Sequence, residues 1–222
     1  MLRLSSMQVV HLCDYGIGNT LNVKRAFEKV GAKVHVCKTG SEIENAKILI
    51  IPGVGAFSDC MNAFLSLGFE KKIEKLVSNG CWILGICVGM QMLGEHSAEF
   101  GSHKGLGLIN GSVKKVGHGT QFSADIKLPH VGWSTVLKSD SHVNSADETL
   151  MLNQVPFYFV HSYEFRPSNR EHFLATTSYF DLEVVAAVKR DRVIGVQFHP
   201  EKSGDAGLIF LRSFLAMAGM NS

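Results

Sequence analysis

The chain is 222 residues long and carries a net charge of +2 from 22 basic and 20 acidic side chains, with no Lys and Arg cluster able to track nucleic-acid phosphates or an anionic membrane. Its 45% hydrophobic and 19% charged content, free of biased tracts, excludes disordered and fibrous classes and suits one sizeable globular core. Five cysteines, at positions 13, 37, 60, 81 and 87, are odd in number and form no C-x-x-C pair, which argues against a disulfide framework and for a reducing, cytoplasmic setting. The N-terminal residues pass directly into a strand pattern, and no apolar run approaches the roughly 20 residues needed to cross a bilayer.

The first half alternates short apolar runs with amphipathic ones, the pattern of a parallel sheet with crossover helices. Val9–Cys13 reads as a strand and Thr20–Val30 as a helix, with Val23, Ala26, Phe27 and Val30 on one face and Gly31 as its stop. Lys33–Cys37 and Ile48–Ile51 read as strands, and Asp59–Leu67 and Glu70–Ser78 as helices. Trp82–Ile86 reads as a central strand, apolar throughout as expected where helices cover both faces. Further on, glycine-rich turns separate β-like runs at Leu106–Val116, Trp133–Leu137, Phe157–Val160, Phe173–Ser178, Val184–Lys189 and Val193–Phe198, expected to add antiparallel strands to the same body. Gly117–Thr120 and Lys138–Asp147 read as surface loops, and Ala206–Met217 as a last helix with Leu208, Leu211, Phe214 and Leu215 on one face. The expectation is an α/β fold in one three-layer domain over 1–222, with a mostly parallel central sheet and antiparallel additions.

Leu84-Gly85-Ile86-Cys87-Val88-Gly89-Met90-Gln91 leads a strand into a small-x-nucleophile-x-small turn and then a helix, the elbow that strains a nucleophile's backbone and presents its side chain. A helix starting just after Cys87 favours the thiolate, while the other four cysteines lack such a turn and read as small core hydrophobes. A thiolate needs a base and a group to orient that base. Of ten histidines, His199 follows the strand-like run 192–198 and opens His199-Pro200-Glu201, where Pro200 fixes the turn and Glu201 can reach the ring's other nitrogen. The carboxyl end of a strand is also where open α/β sheets place their sites. Donors for a developing oxyanion are expected at the backbone N–H of Val88 and of Val54, whose flanking glycines in Ile51-Pro52-Gly53-Val54-Gly55 let the peptide turn toward the site. His-x-Glu also opens a zinc deaminase signature, but no cysteine follows residue 87, so no metal is expected. Asp14-Tyr15-Gly16-Ile17-Gly18-Asn19 falls short of a dinucleotide fingerprint, with Leu21 where the third glycine belongs, and no cofactor is expected.

These segments, together with Pro129-His130-Val131-Gly132-Trp133, Phe157-Tyr158-Phe159-Val160-His161-Ser162-Tyr163 and Gln197-Phe198-His199-Pro200-Glu201-Lys202-Ser203, occur in the order of one family across nearly the whole chain. The chain resembles the class I glutamine amidotransferases, of flavodoxin-like fold, and among them the glutaminase subunits of imidazole glycerol phosphate synthase. The resemblance implies that glutamine is hydrolysed to glutamate and ammonia through a thioester on Cys87, with His199 moving protons and Glu201 orienting the imidazole. It implies that Gly53, Gly55, Gln91, Glu99, His161, Ser162 and Tyr163 contact glutamine. It also implies that Asn19, Asn22, His130, Trp133, Tyr158 and Lys202 face a TIM-barrel cyclase subunit, which takes the ammonia in a heterodimer. Ser134 stands where Asn more often follows the Gly-Trp pair, so a related synthase of surface-sugar biosynthesis stays open as an alternative, as does a stand-alone cysteine amidase.

Overall fold

The computed structural model describes residues 8–120, 126–139 and 150–219. In chain order the first elements are β1 (Val9–Cys13), α1 (Thr20–Lys29), β2 (Lys33–Cys37), β3 (Ile48–Gly53), α2 (Phe57–Ser66), α3 (Glu70–Ser78), β4 (Trp82–Cys87) and α4 (Val88–Met92). Then follow β5 (His96–Ser97), β6 (His103–Lys104), β7 (Gly111–Lys115), β8 (His130–Lys138), β9 (Val155–His161), β10 (Tyr163–Pro167), β11 (Phe173–Tyr179), β12 (Leu182–Arg190), β13 (Val193–Val196) and α5 (Gly204–Gly219).

Nine strands form one sheet in the order β2-β1-β3-β4-β13-β12-β11-β8-β9. The pairings from β2 through to β13 are parallel, and those from β13 through to β9 are antiparallel. β3 and β4 are buried at every position, which is why their sequences are apolar runs without alternation. From β1 the chain crosses one way to β2 and from β3 the other way to β4, so right-handed crossovers put α1 on one face and α2 and α3 on the other. This reversal between β1 and β3 opens a crevice at their carboxyl ends. Gly31, at φ +95°, ends α1 as its sequence promised.

One cluster of buried apolar side chains runs from Val10 to Ala218. Within it Phe198 stacks on Phe157 with centroids 4.1 Å apart and meets Phe159 and Phe210 edge-on, so β9 and α5 grip the segment leading to His199.

Two features differ from the sequence reading. The run expected at Leu106–Val116 is a strand only over Gly111–Lys115, and it joins a second sheet, β10-β7-β5-β6, not the main one. The chain leaves the main sheet at Ser162, between β9 and β10, and the two-residue strands β5 and β6 are too short to show alternation. Most of the loop expected at Lys138–Asp147 lies outside the described residues. No described helix is long and apolar enough to cross a membrane.

Replacing Phe198 by Ala is expected to cost about 3–5 kcal/mol of stability, read from the midpoint of urea unfolding, because a fully buried ring with three aromatic neighbours leaves a cavity that cannot collapse.

Candidate active site

The register of the central strands brings distant residues together. Ile86 of β4 is opposite Val196 of β13, so Cys87 and Gln197 follow as neighbours at the strand ends, and Gly53 of β3 is opposite Cys87 on the other side. Cys87 has φ 56° and ψ −113°, a left-handed conformation unfavourable for a residue with a side chain. The turn is too crowded for anything larger than glycine at its flanks: a Cβ on Gly85 would lie 2.5 Å from the Gly89 carbonyl oxygen, and one on Gly89 would run into the Ile51 carbonyl. The Val88 amide opens α4 and has no intrahelical acceptor, so it is a donor available beside the sulfur.

His199 is 1% exposed, and its Nδ1 lies 2.8 Å from Oε1 of Glu201, which also accepts a hydrogen bond from Nδ2 of Asn19 at 3.3 Å. The His199 backbone is tied on both sides: its N–H donates to the Tyr158 carbonyl at 2.9 Å, and Ser203 Oγ donates to its carbonyl at 2.7 Å. Burial disfavours the charged ring, yet the Cys87 sulfur and the Glu201 carboxylate outweigh it and raise the imidazole to about 10. Nε2 makes no hydrogen bond of good geometry, so the sulfur acts on it through proximity and charge. The arrangement suits a thiolate–imidazolium pair.

Cys87 and His199 line one cavity of about 410 Å³, which Val54, Gly55, Gln91, Glu99 and the segment 160–163 also border. Gln91 is buried and donates from Nε2 to the Tyr163 carbonyl at 2.9 Å and to Gln197 Oε1 at 3.1 Å, so only its oxygen remains for a ligand. The Tyr163 carbonyl also fixes the tautomers of two buried histidines. His161 must donate to it from Nδ1 (2.8 Å), so His161 Nε2 accepts from His130 Nδ1 (3.1 Å), and His130 Nε2 accepts from the Ser134 hydroxyl (2.8 Å). Burial holds both rings neutral, lowering His130 to about 4 and His161 to about 3.

Several residues sit elsewhere than expected. His130, expected on a partner-facing surface, is 1% exposed and packed between Phe159 and Tyr179, because the pleat of β8 turns 130 and 134 inward and Val131 and Trp133 outward. Trp133 is 57% exposed, meets Tyr158 edge-on across the strands, and Lys202 lies over the Tyr158 ring at 5.9 Å. Asn22 is exposed, whereas Asn19 faces inward to Glu201. Gly53, expected to touch substrate, lies behind the cavity wall, where a Cβ would stand 2.7 Å from the Gly89 nitrogen. Glu99 borders the cavity, but its Oε2 accepts the Phe57 N–H at 2.7 Å and so caps the start of α2. Ser162 and Tyr163 border the cavity.

Two residues went unassigned in the sequence. Tyr15 donates its hydroxyl to the Pro52 carbonyl and so braces the loop that carries Val54, while Cys60 Sγ donates to the Val54 carbonyl at 3.3 Å. Gln197 puts its Nε2 3.7 Å from the Cys87 sulfur. Its place two residues before His199 marks it as a neighbour of the candidate base and gives no sign of what it touches. Among the described residues, His35, Cys37 and Glu42 bring ligand atoms within 4.8 Å of one another and could take a metal, but none borders the cavity, and Thr39 and the Lys38 N–H already hold the Glu42 carboxylate.

Residues 11–216 match the family described as Glutamine amidotransferase class-I. The chain belongs to the class I glutamine amidotransferases. Among relatives of this amidotransferase, imidazole glycerol phosphate synthase subunit HisH 1 of Legionella pneumophila (strain Lens) is 42% identical over 214 residues, covering 94% of this chain and 99% of the relative. The subunit HisH of Chlorobium chlorochromatii is 39% identical over 209 residues, covering 93% and 98%. Among solved structures, a crystal structure of a glutamine amidotransferase superposes with TM-score 0.70 at 22% identity, covering 95% of this chain and 98% of that one. A chain of PurLQS from Thermotoga maritima gives 0.71 at 15% identity, covering 95% and 99%, so the amidotransferase fold persists where sequence similarity has faded.

The three histidines titrate in opposite senses, with two consequences. In Glu201→Gln the ring loses a charged acceptor, so the His199 titration followed by NMR should move down from about 10 toward 6.5. His130 and His161 take up protons on unfolding below their ordinary 6.5 and not in the fold, so their contribution to stability is full above 6.5 and lost as pH falls toward 4 and 3. The melting temperature should therefore fall between pH 6.5 and 4, less steeply in His161→Asn, as differential scanning calorimetry would record.

Proposed function

We propose that this chain, acting as a single amidotransferase domain, is the glutaminase subunit of an imidazole glycerol phosphate synthase in the cytoplasm. The observation that carries the reading is the parallel register of β4 and β13, which sets an elbow cysteine and a carboxylate-bound histidine on one cavity. Relatives at 42% and 39% identity over almost their full length carry that enzyme's name and support it.

In the mechanism, the Cys87 thiolate attacks the side-chain carbonyl carbon of glutamine, and the N–H groups of Val88 and Val54 receive the negative charge that moves onto oxygen. His199 gives its proton to the leaving nitrogen, ammonia departs, and a γ-glutamyl thioester remains on Cys87. The now neutral His199 takes a proton from water as that water attacks the thioester, glutamate is released, and the thiolate–imidazolium pair returns. Glu201, itself held by Asn19, keeps Nδ1 protonated and Nε2 directed to the chemistry. The oxygen of Gln91, with Glu99, Gly55 and the segment His161 to Tyr163, holds the substrate's α-amino and carboxylate groups.

Ammonia is lost as ammonium in water unless it passes to its acceptor under cover. A partner seated over the cavity mouth supplies that cover, and the exposed Val131 and Trp133, with Tyr158, Lys202 and Asn22, form the apolar and cationic face on which a TIM-barrel cyclase docks. The cyclase then uses the ammonia to make imidazole glycerol phosphate and aminoimidazole carboxamide ribotide.

Cys87→Ala in the complex with its cyclase is expected to lose glutamine-dependent product formation by about 10⁴-fold or more while synthesis from added ammonium salts continues. Retained glutamine turnover in that variant rejects the proposal.

A further inference from the structure

Gln197 has no part in the chemistry described so far, yet it is fully buried with its carboxamide wedged between Gln91 and the Cys87 sulfur. Its orientation is determined by its neighbours. The Tyr163 carbonyl only accepts, so Gln91 turns its NH₂ toward that oxygen, and the second hydrogen of the same NH₂ meets Gln197 at 3.1 Å. Gln197 must therefore present its oxygen to Gln91 and its own NH₂ to the sulfur, at 3.7 Å. The Tyr163 carbonyl is itself held by His161, and through it by His130 and Ser134, so an unbroken chain of buried and part-buried hydrogen bonds ends on Cys87. Ser134 thereby gains a role as the donor that closes the far end of the chain.

We propose that Gln197 is a further catalytic residue, whose carboxamide N–H donates to the Cys87 sulfur, stabilises its anionic form and holds it in place at the elbow for attack. The inference rests on the amidotransferase reading of Cys87. A hydrogen bond from a neutral donor strengthens when its acceptor becomes charged, so this contact favours thiolate over thiol. The titratable groups that act on the sulfur come from three elements: His199 after β13, Cys60 on α2 and Tyr15 after β1. His161, Glu99, Tyr163 and Lys202 border the same cavity. Burial keeps the Cys60 thiol, at about 11, and the Tyr15 hydroxyl protonated, and His161 is neutral, so among the groups that act on the sulfur the His199 imidazolium is the charged one and Gln197 supplies an uncharged contact. The single stretch of chain after β13 thereby sets both the Gln197 carboxamide and the His199 ring beside the sulfur.

The test uses the full-length chain with Gln197→Leu and, should that variant not fold, Gln197→Met. The rate of iodoacetamide alkylation at Cys87, read from the mass of its peptide, is followed from pH 4 to 10. The midpoint should move up by about one pH unit with the plateau rate at high pH unchanged, since a fully ionised sulfur no longer needs help to ionise. In the complex with the cyclase, kcat near pH 7 should fall about tenfold with KM nearly constant, as for a contact made to the reacting atom rather than to the substrate. A midpoint equal to that of the unaltered chain in a folded variant overturns the inference. That measurement involves neither glutamine nor partner, so it stands apart from the Cys87→Ala experiment, whose failure would remove the amidotransferase reading instead.

Discussion

The parallel pairing of β4 with β13 is the constraint on which the rest of the site depends. A parallel ladder aligns carboxyl ends with carboxyl ends, so two strands from opposite halves of the chain deliver Cys87, Gln197 and His199 to one edge of the sheet. β3, paired with β4 on the other side, brings Gly53 and Val54 to the same edge by the same geometry. Because backbone hydrogen bonds set this register and buried aromatic rings pack around it, Cys87 and the turn to His199 are held by the ends of packed strands, while Val54 and the segment 160–163 border the cavity from the loops and strand ends around them.

Electrostatics then separates three histidines that share one neighbourhood. All three are buried, which by itself disfavours charge, and His130 and His161 obey that rule because their hydrogen-bond partners are each other, a hydroxyl and a carbonyl, with the His199 charge pushing His161 further the same way. His199 departs from it because a sulfur and a carboxylate stand beside its ring. The same two neutral histidines anchor the Tyr163 carbonyl from which the orientations of Gln91 and Gln197 follow, so a network without a single formal charge orders the groups around Cys87 and His199.

Strand pleat divides the remaining labour. Along β8 successive residues alternate between the hydrogen-bonded interior, at His130 and Ser134, and the exposed face, at Val131 and Trp133. One strand therefore contributes both to the hydrogen-bonded chain that borders the cavity and to an exposed apolar face.

The sequence by itself determined the elbow, the His-Pro-Glu turn and the order of strands and helices through β4, because each is written in local terms: small residues flanking a nucleophile, proline after histidine, apolar runs of strand or helix period. The candidacy of Cys87 as nucleophile and of His199 as base was legible for that reason. Only the tertiary structure decided which strands are neighbours, that the chain after Ser162 leaves for a second sheet, and that His130 points inward, since these depend on pairings between segments with no local mark. Gln197 and Tyr15 belong to the same class. A glutamine or tyrosine in an apolar run carries no sign of what it will touch, and a hydrogen bond between residues distant in the chain exists only once the sheet has set both in place.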